Sequence, residues 1–127
     1  MSIWWVTVSA ANKAKGSKWE ADIENYANEE GLKARRLPRA GAKDIGDVAI
    51  ELRNGQVLVV EAKNVKAANM AEFLRQADVE SQNYEDKYGV VSYPLVIVKA
   101  RNQHTRKARV TMEFGELVNL LHGLGLS

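Results

Sequence analysis

Asp47-Val48-Ala49-Ile50-Glu51-Leu52-Arg53-Asn54-Gly55-Gln56-Val57-Leu58-Val59-Val60-Glu61-Ala62-Lys63 is the stretch that decides the fold. Two apolar runs flank Arg53-Asn54-Gly55-Gln56, which reads as a turn, so the stretch reads as a β-hairpin. Side chains alternate faces along a strand. Val48, Ile50 and Leu52 therefore share one face and Asp47 lies on the other. Glu61 and Lys63, two residues apart, share a face. A two-residue turn would place Asp47 opposite Ala62 and send Glu61 to the other side. A three-residue turn, with Gly55 in the left-handed position of a bulge, puts Asp47 opposite Glu61. That register also gathers Val48, Ile50, Leu52, Leu58, Val60 and Ala62 on one apolar face, because a one-residue slip exchanges faces. The sequence thus predicts the odd-length turn. Two carboxylates and one amine then meet at the open end of the hairpin. Carboxylate oxygens suit a hard divalent cation. A lysine beside it can orient or activate water, which is the equipment of metal-assisted phosphodiester hydrolysis. An ordinary hairpin with polar residues at its open end is the competing reading.

The rest of the chain fits around this hairpin. Ser17 to Glu30 reads as a helix with Trp19, Ile23, Tyr26 and Ala27 at helical spacing, a Ser17/Glu20 capping box and a stop at Gly31. Leu32 to Leu37 reads as a strand, and 38–46 as a basic loop. Ala67 to Tyr88 reads as a long helix with Met70, Phe73, Leu74, Ala77, Ser81 and Tyr84 along one face. Pro94 to Ala100 and Arg109 to Phe114 read as strands, and Gly115 to Leu124 as a terminal helix. For Trp4-Trp5-Val6-Thr7-Val8 within residues 1–15, a short strand, an interface arm and a poorly ordered end all stay open. This order implies an α/β domain, a mixed sheet with helices on its faces. The long helix serves as the crossover between two parallel strands.

Composition narrows the function. The chain has 127 residues, one domain by length, with 46% apolar and 27% charged residues, as in ordinary globular proteins. It has no cysteine, which excludes disulfides and thiolate zinc sites. His104 and His122 are its two histidines, too few for a histidine-rich metal centre. No apolar stretch approaches the roughly 20 residues of a membrane helix. Ile3-Trp4-Trp5-Val6 is too short for a signal peptide and has no basic residue before it. A cytoplasmic location, with DNA, is the expectation.

The net charge of +2 says little, but its distribution says more. Lys33, Arg35, Arg36, Arg39 and Lys43 form one acid-free segment. Lys99, Arg101, Arg106, Lys107 and Arg109 form another. Both suit a phosphate backbone, while the acidic stretch from Glu72 to Asp86 is expected to face elsewhere. Glu20 and Glu24, one turn apart on the first helix, are candidates for a third carboxylate, although a capping box already explains Glu20 and a solvated surface Glu24.

With these residues assembled, the sequence resembles the PD-(D/E)xK nuclease superfamily, and within it the small Holliday-junction-resolvase branch of archaea and some phages. The resemblance rests on Gly16-Ser17-Lys18-Trp19-Glu20 at the first helix and on Ala34-Arg35-Arg36-Leu37-Pro38-Arg39-Ala40-Gly41 as strand and basic loop. It continues with Gly46-Asp47-Val48-Ala49-Ile50 and Glu61-Ala62-Lys63, and spans roughly residues 13–100. Gly46 stands where the family often has proline. Asn64 stands where serine or threonine is frequent.

The resemblance implies a single nuclease domain over residues 1–127 with a restriction-endonuclease-like fold. It implies a metal-dependent DNA endonuclease making symmetric nicks in four-way junctions as a homodimer. Glu20, Asp47, Glu61 and Lys63 are then catalytic. Glu20, Asp47, Glu61 and the Ala62 carbonyl hold Mg2+, for which Mn2+ substitutes. Lys15, Arg35, Arg36, Arg39, Lys43 and Gln76 contact DNA, with Gln76 supplied by the helix after the hairpin. Trp4, Trp5 and the Leu117–Leu121 helix offer apolar surface for a dimer or for the core. A nuclease for ends, flaps or duplex, a non-catalytic nucleic-acid-binding module and a small scaffolding domain are the rival functions.

Overall fold

The computed structural model describes residues 3–39, 43–66 and 69–126, with residues 3–11 as backbone alone. The elements run α1 (Ile3–Glu29), β1 (Lys33–Arg36), β2 (Val48–Glu51), β3 (Val57–Lys63), α2 (Met70–Tyr88) and β4 (Ser92–Val98). A 3-10 turn (Thr105–Lys107), β5 (Arg109–Thr111) and α3 (Phe114–Gly123) follow among the described residues. The five strands lie in sequence order, β1-β2-β3-β4-β5. Only β3 and β4 are parallel, and α2 is the crossover between them. The other three pairings are antiparallel. The expected mixed α/β sheet is the one observed.

The hairpin has the odd-length turn. Val48 pairs with Val60 and Glu51 with Val57, a register that puts Asp47 opposite Glu61. Leu52 N–H donates to Gln56 O at 2.8 Å, and Gly55 N–H donates to Leu52 O at 3.0 Å. Gly55 sits at φ 86°, the left-handed position the turn needs.

The alternation along β2 and β3 sorts the core into two layers. Val48, Ile50 and Val60 join Trp19, Ile23, Ala27 and Leu95 on the α1 side. Ala49, Val57 and Val59 join Leu37, Ile45 and Tyr84 on the α2 side. Trp19 anchors the first layer: it is 1% exposed, and its indole N–H donates to Ile97 O at 3.3 Å. Removing such a side chain costs about 3–5 kcal/mol.

Two expectations fail at the N-terminal end. Of the options open for Trp4-Trp5-Val6-Thr7-Val8, the strand is excluded, since the stretch is helical, and α1 begins at Ile3 rather than Ser17. Strand propensity is a weak prior. Ala10 to Lys15 is rich in alanine and lysine, strong helix formers that continue into the Trp19 face. Gly16 lies within the helix and does not stop it. Ser17 is therefore no N-cap and Glu20 no capping-box partner; Ser17 Oγ instead accepts from Arg36 at 2.8 Å. The side chains of Trp4 and Trp5 lie outside the described residues.

Boundary shifts elsewhere have local causes. α2 starts at Met70 because Asn69 caps it, its side chain accepting from Glu72 N–H. The expected start at Ala67 lies outside the described residues. β4 includes Pro94, which β5 does not reach, since β5 pairs only with Val96–Val98. A strand tolerates proline where one side lacks a neighbour.

Gly46 leads directly into Asp47. Its φ is +102°, and a Cβ there would lie 2.6 Å from Val59 Cγ1. Proline, fixed near φ −65°, cannot take this conformation, which explains the departure at this position. We predict that Gly46→Ala loses about 2–4 kcal/mol through backbone strain and overpacking. A urea midpoint unchanged from wild type would contradict this.

Candidate active site

The register delivers Asp47 and Glu61 side by side on the α2 face of the sheet. Both are buried, at 6% and 7% exposure. Backbone groups fix Asp47: its N–H donates to Val60 O at 2.9 Å, and its Oδ2 accepts from Ala62 N–H at 2.9 Å. Lys63, on the same face, places Nζ 3.2 Å from Glu61 Oε1 and 4.7 Å from the centre of the Phe73 ring. The ring and the carboxylate together confine the amine.

Glu20 arrives from α1, the opposite layer, and is buried at 4% exposure. It does not meet Asp47 directly. Arg39, from the basic loop, links the two, with one Nη2 donating both to Glu20 Oε2 and to Asp47 Oδ1, the latter at 3.1 Å. Arg36 adds an ion pair to Glu20 at 3.6 Å. Glu24 accepts from the Arg36 backbone N–H at 2.7 Å and so joins α1 to β1.

A fourth carboxyl group comes from α2. Glu80 is 5% exposed and faces Glu61. Its Oε2 has no hydrogen-bond partner. Burial pushes the Glu80 carboxyl well above the ordinary range, and its hydrogen bond to Glu61 and the nearby Asp44 and Asp47 charges add to the shift. Burial, followed by the Glu61 charge, also raises Asp47 to about 7, against the lowering effect of the Ala62 amide and Arg39. The acidic stretch expected to face elsewhere thus turns one member into the site. Glu80 falls between Ala77 and Tyr84 on the buried face of α2. An acid within an apolar helical stripe was the available signal.

These groups line one cavity of about 450 Å³. Of the residues expected from sequence, it brings together Glu20, Asp47, Glu61, Ala62, Lys63, Gln76 and Arg39, and it adds Gly16, Asp44, Arg75, Val79 and Glu80. The other basic candidates sit apart. Arg36 joins Arg39 in a neighbouring cavity bounded by Lys13 and Ser17. Lys43 and Lys15 are exposed. Arg35 stays on the α2 face but lines a separate cavity, where it donates to Tyr84 Oη at 2.8 Å and lies over the Tyr88 ring.

Among the described residues, no group of three or more His, Cys, Asp or Glu side chains is disposed to hold a metal ion. Arg39 places its guanidinium between Glu20 and Asp47. The donor chemistry nevertheless fits a hard divalent ion. It consists of buried carboxyl groups, three of them beside basic side chains and the fourth, Glu80, with an unpartnered oxygen.

Residues 11–109 match the family model described as archaeal Holliday junction resolvase (Hjc). A 1.6 Å structure of Archaeoglobus fulgidus Hjc, titled as a Holliday junction resolvase from an archaeal hyperthermophile, is 20% identical to this chain. That match covers 72% of this chain and 73% of the other, with a TM-score of 0.44. No curated protein matches the chain.

A carboxyl whose pKa is raised on folding stabilises the fold below its unfolded value and loses that contribution as pH climbs through the folded value. With metal removed by EDTA, the melting temperature should fall as pH rises from about 4 to about 7, the interval between the ordinary and folded values of Asp47. Asp47→Asn should flatten part of that slope. An identical slope in the variant would count against the raised value.

Proposed function

The chain belongs to the archaeal Holliday junction resolvase family, and on that premise we propose that it cuts four-way DNA junctions as a divalent-metal-dependent endonuclease. The observation that carries this reading is the pairing of buried Asp47 and Glu61 on one sheet face, with Lys63 held against Glu61. A stable scaffold gains nothing from crowding two acids there.

Asp47, Glu61 and the Ala62 carbonyl are the residues that would hold the cation, and Mg2+ is the ion we assign, with Mn2+ as substitute. When bound, such an ion polarises the scissile phosphodiester and offsets charge on the leaving oxygen. The chain's own groups do the rest. The Ala62 amide fixes the direction of Asp47. Lys63 positions the attacking water and donates to the phosphate. Arg39 moves from carboxylates to the DNA backbone, since a guanidinium binds phosphate as readily as carboxylate. Glu20 orients Arg39 and Arg36, and contributes a further acid once Arg39 turns to phosphate.

Lys15, Arg36 and Lys43 would extend the phosphate track, and Gln76 would reach the substrate from α2. Such contacts give affinity without base specificity. The Lys99 backbone lies beside the site, its N–H donating to Lys63 O at 2.9 Å, while its ammonium lies 5.9 Å from the centre of the Trp19 ring on the α1 side. Arg35, bound to Tyr84 in a separate cavity of the α2 face, is a weaker candidate for DNA.

Two opposed nicks call for two sites, and we assign a homodimer, the commonest symmetry for such a pair. Exposed Val110 on β5 and exposed Phe114, Leu117 and Leu121 on α3 offer an apolar surface for it. Among the described residues, no helix is long and apolar enough to cross a membrane.

Cleavage of a labelled four-way junction, with duplex and flap controls, tests the reading. We expect paired nicks in the junction in Mg2+ and none in EDTA. Asp47→Asn and Glu61→Gln should each lower the rate by roughly 10²-fold or more, with junction binding equal or tighter, because each removes a negative charge near phosphate. Lys63→Ala should lose most turnover and keep its fold. Full activity in both carboxylate variants would remove the assigned site, and equal cutting of duplex and flap would remove the junction preference.

A further inference from the structure

Glu80 has no part in the mechanism above, yet it is placed with care. It projects from the middle of α2 toward the cavity, one turn beyond Gln76, and is nineteen-twentieths buried. One carboxyl oxygen has no hydrogen-bond partner at all. Buried polar atoms are nearly always partnered. The neighbours make the choice of an acid stranger still. Glu61 faces it, and Asp47 and Asp44 are close enough to act on it electrostatically. Glutamine has the same shape. It would donate an N–H to Glu61 and place no further acid among three others. A hydrophobic residue would extend the Ala77–Tyr84 face. Neither stands here. Without a cation, the hydrogen bond between Glu80 and Glu61 offsets this crowding; a divalent cation shared between the two carboxylates would replace it and use the oxygen left over.

We propose that Glu80 is a further metal-binding residue, which with Glu61 holds a divalent cation on the α2 side of the site. The inference rests on the metal-dependent reading above and extends it from the sheet to the crossover helix. It makes the helix part of the site. The helix face that would present Gln76 to the substrate also presents Glu80, one turn on, to the ion, and α2 then links metal occupancy to substrate contact.

Calorimetric titration of the full chain with Mn2+, without DNA, tests this directly, alongside Glu80→Gln, Glu80→Asp and Asp47→Asn. Glu80→Gln is expected to weaken Mn2+ binding by about tenfold or more, or to remove one binding event. Its melting temperature in EDTA should equal or exceed that of wild type, because a buried acid has gone. Glu80→Asp should recover part of the affinity. In junction cleavage, the Glu80→Gln variant should need more Mg2+ to reach half its maximal rate. Unchanged Mn2+ affinity and stoichiometry in Glu80→Gln, with binding lost in Asp47→Asn, would overturn the role of Glu80 and leave the metal-dependent reading intact. No Mn2+ binding by the wild-type chain would overturn both.

Discussion

Everything at this site depends on a three-residue turn. Arg53, Asn54 and Gly55 set the register between β2 and β3, and the register alone decides whether Asp47 and Glu61 share a face. The same count sorts the valines. With Val48, Ile50 and Val60 toward Trp19, and Ala49, Val57 and Val59 toward Tyr84, both layers of the core fill at once. A turn shorter by one residue would bury the wrong set and separate the acids. Fold and chemistry therefore share one constraint, and the hydrophobic layers hold the carboxylates together against their repulsion.

That constraint explains why the hairpin was legible from sequence. Period-two alternation over two runs, with a glycine where the bulge needs it, admits one register. The α2 stripe and the crossover were equally plain, because nineteen residues of helical periodicity between two apolar strands leave little choice. The N-terminal part of α1 was not legible. Aromatic and β-branched residues at 3–8 suggest strand, and nothing local announces that the alanine- and lysine-rich stretch behind them carries the helix through. Ser17 and Glu20 met the pattern of a cap at a place where the chain was already helical. A short motif is satisfied by spacing alone, whereas a cap also requires the helix to begin there.

The site was half legible for a similar reason. Asp47, Glu61 and Lys63 come from one hairpin, so their meeting follows from local register. Glu20 and Glu80 come from opposite layers, and tertiary packing brings them in. Sequence placed Glu20 beside the sheet acids but could not foresee that Arg39 would stand between them. It placed Glu80 among solvated charges. Arg39 was assigned to DNA because it lies in a basic loop, and here it neutralises two buried acids. Both uses draw on the same planar array of donors. A carboxylate pair therefore acts as the resting partner of a residue that the substrate also attracts.

The bond from Ala62 N–H to Asp47 Oδ2 limits what can stand between the glutamate and the lysine. The donor belongs to the backbone, so the side chain at position 62 is free of any chemical duty. It faces the Trp19 layer, partly buried, where only volume counts. Substitution by serine, valine or threonine would keep the amide and trade only packing. Proline would keep the volume and delete the donor, releasing Asp47 from its one fixed direction. The tolerance of this middle position is therefore wide in chemistry, narrow in size and closed to a single imino acid.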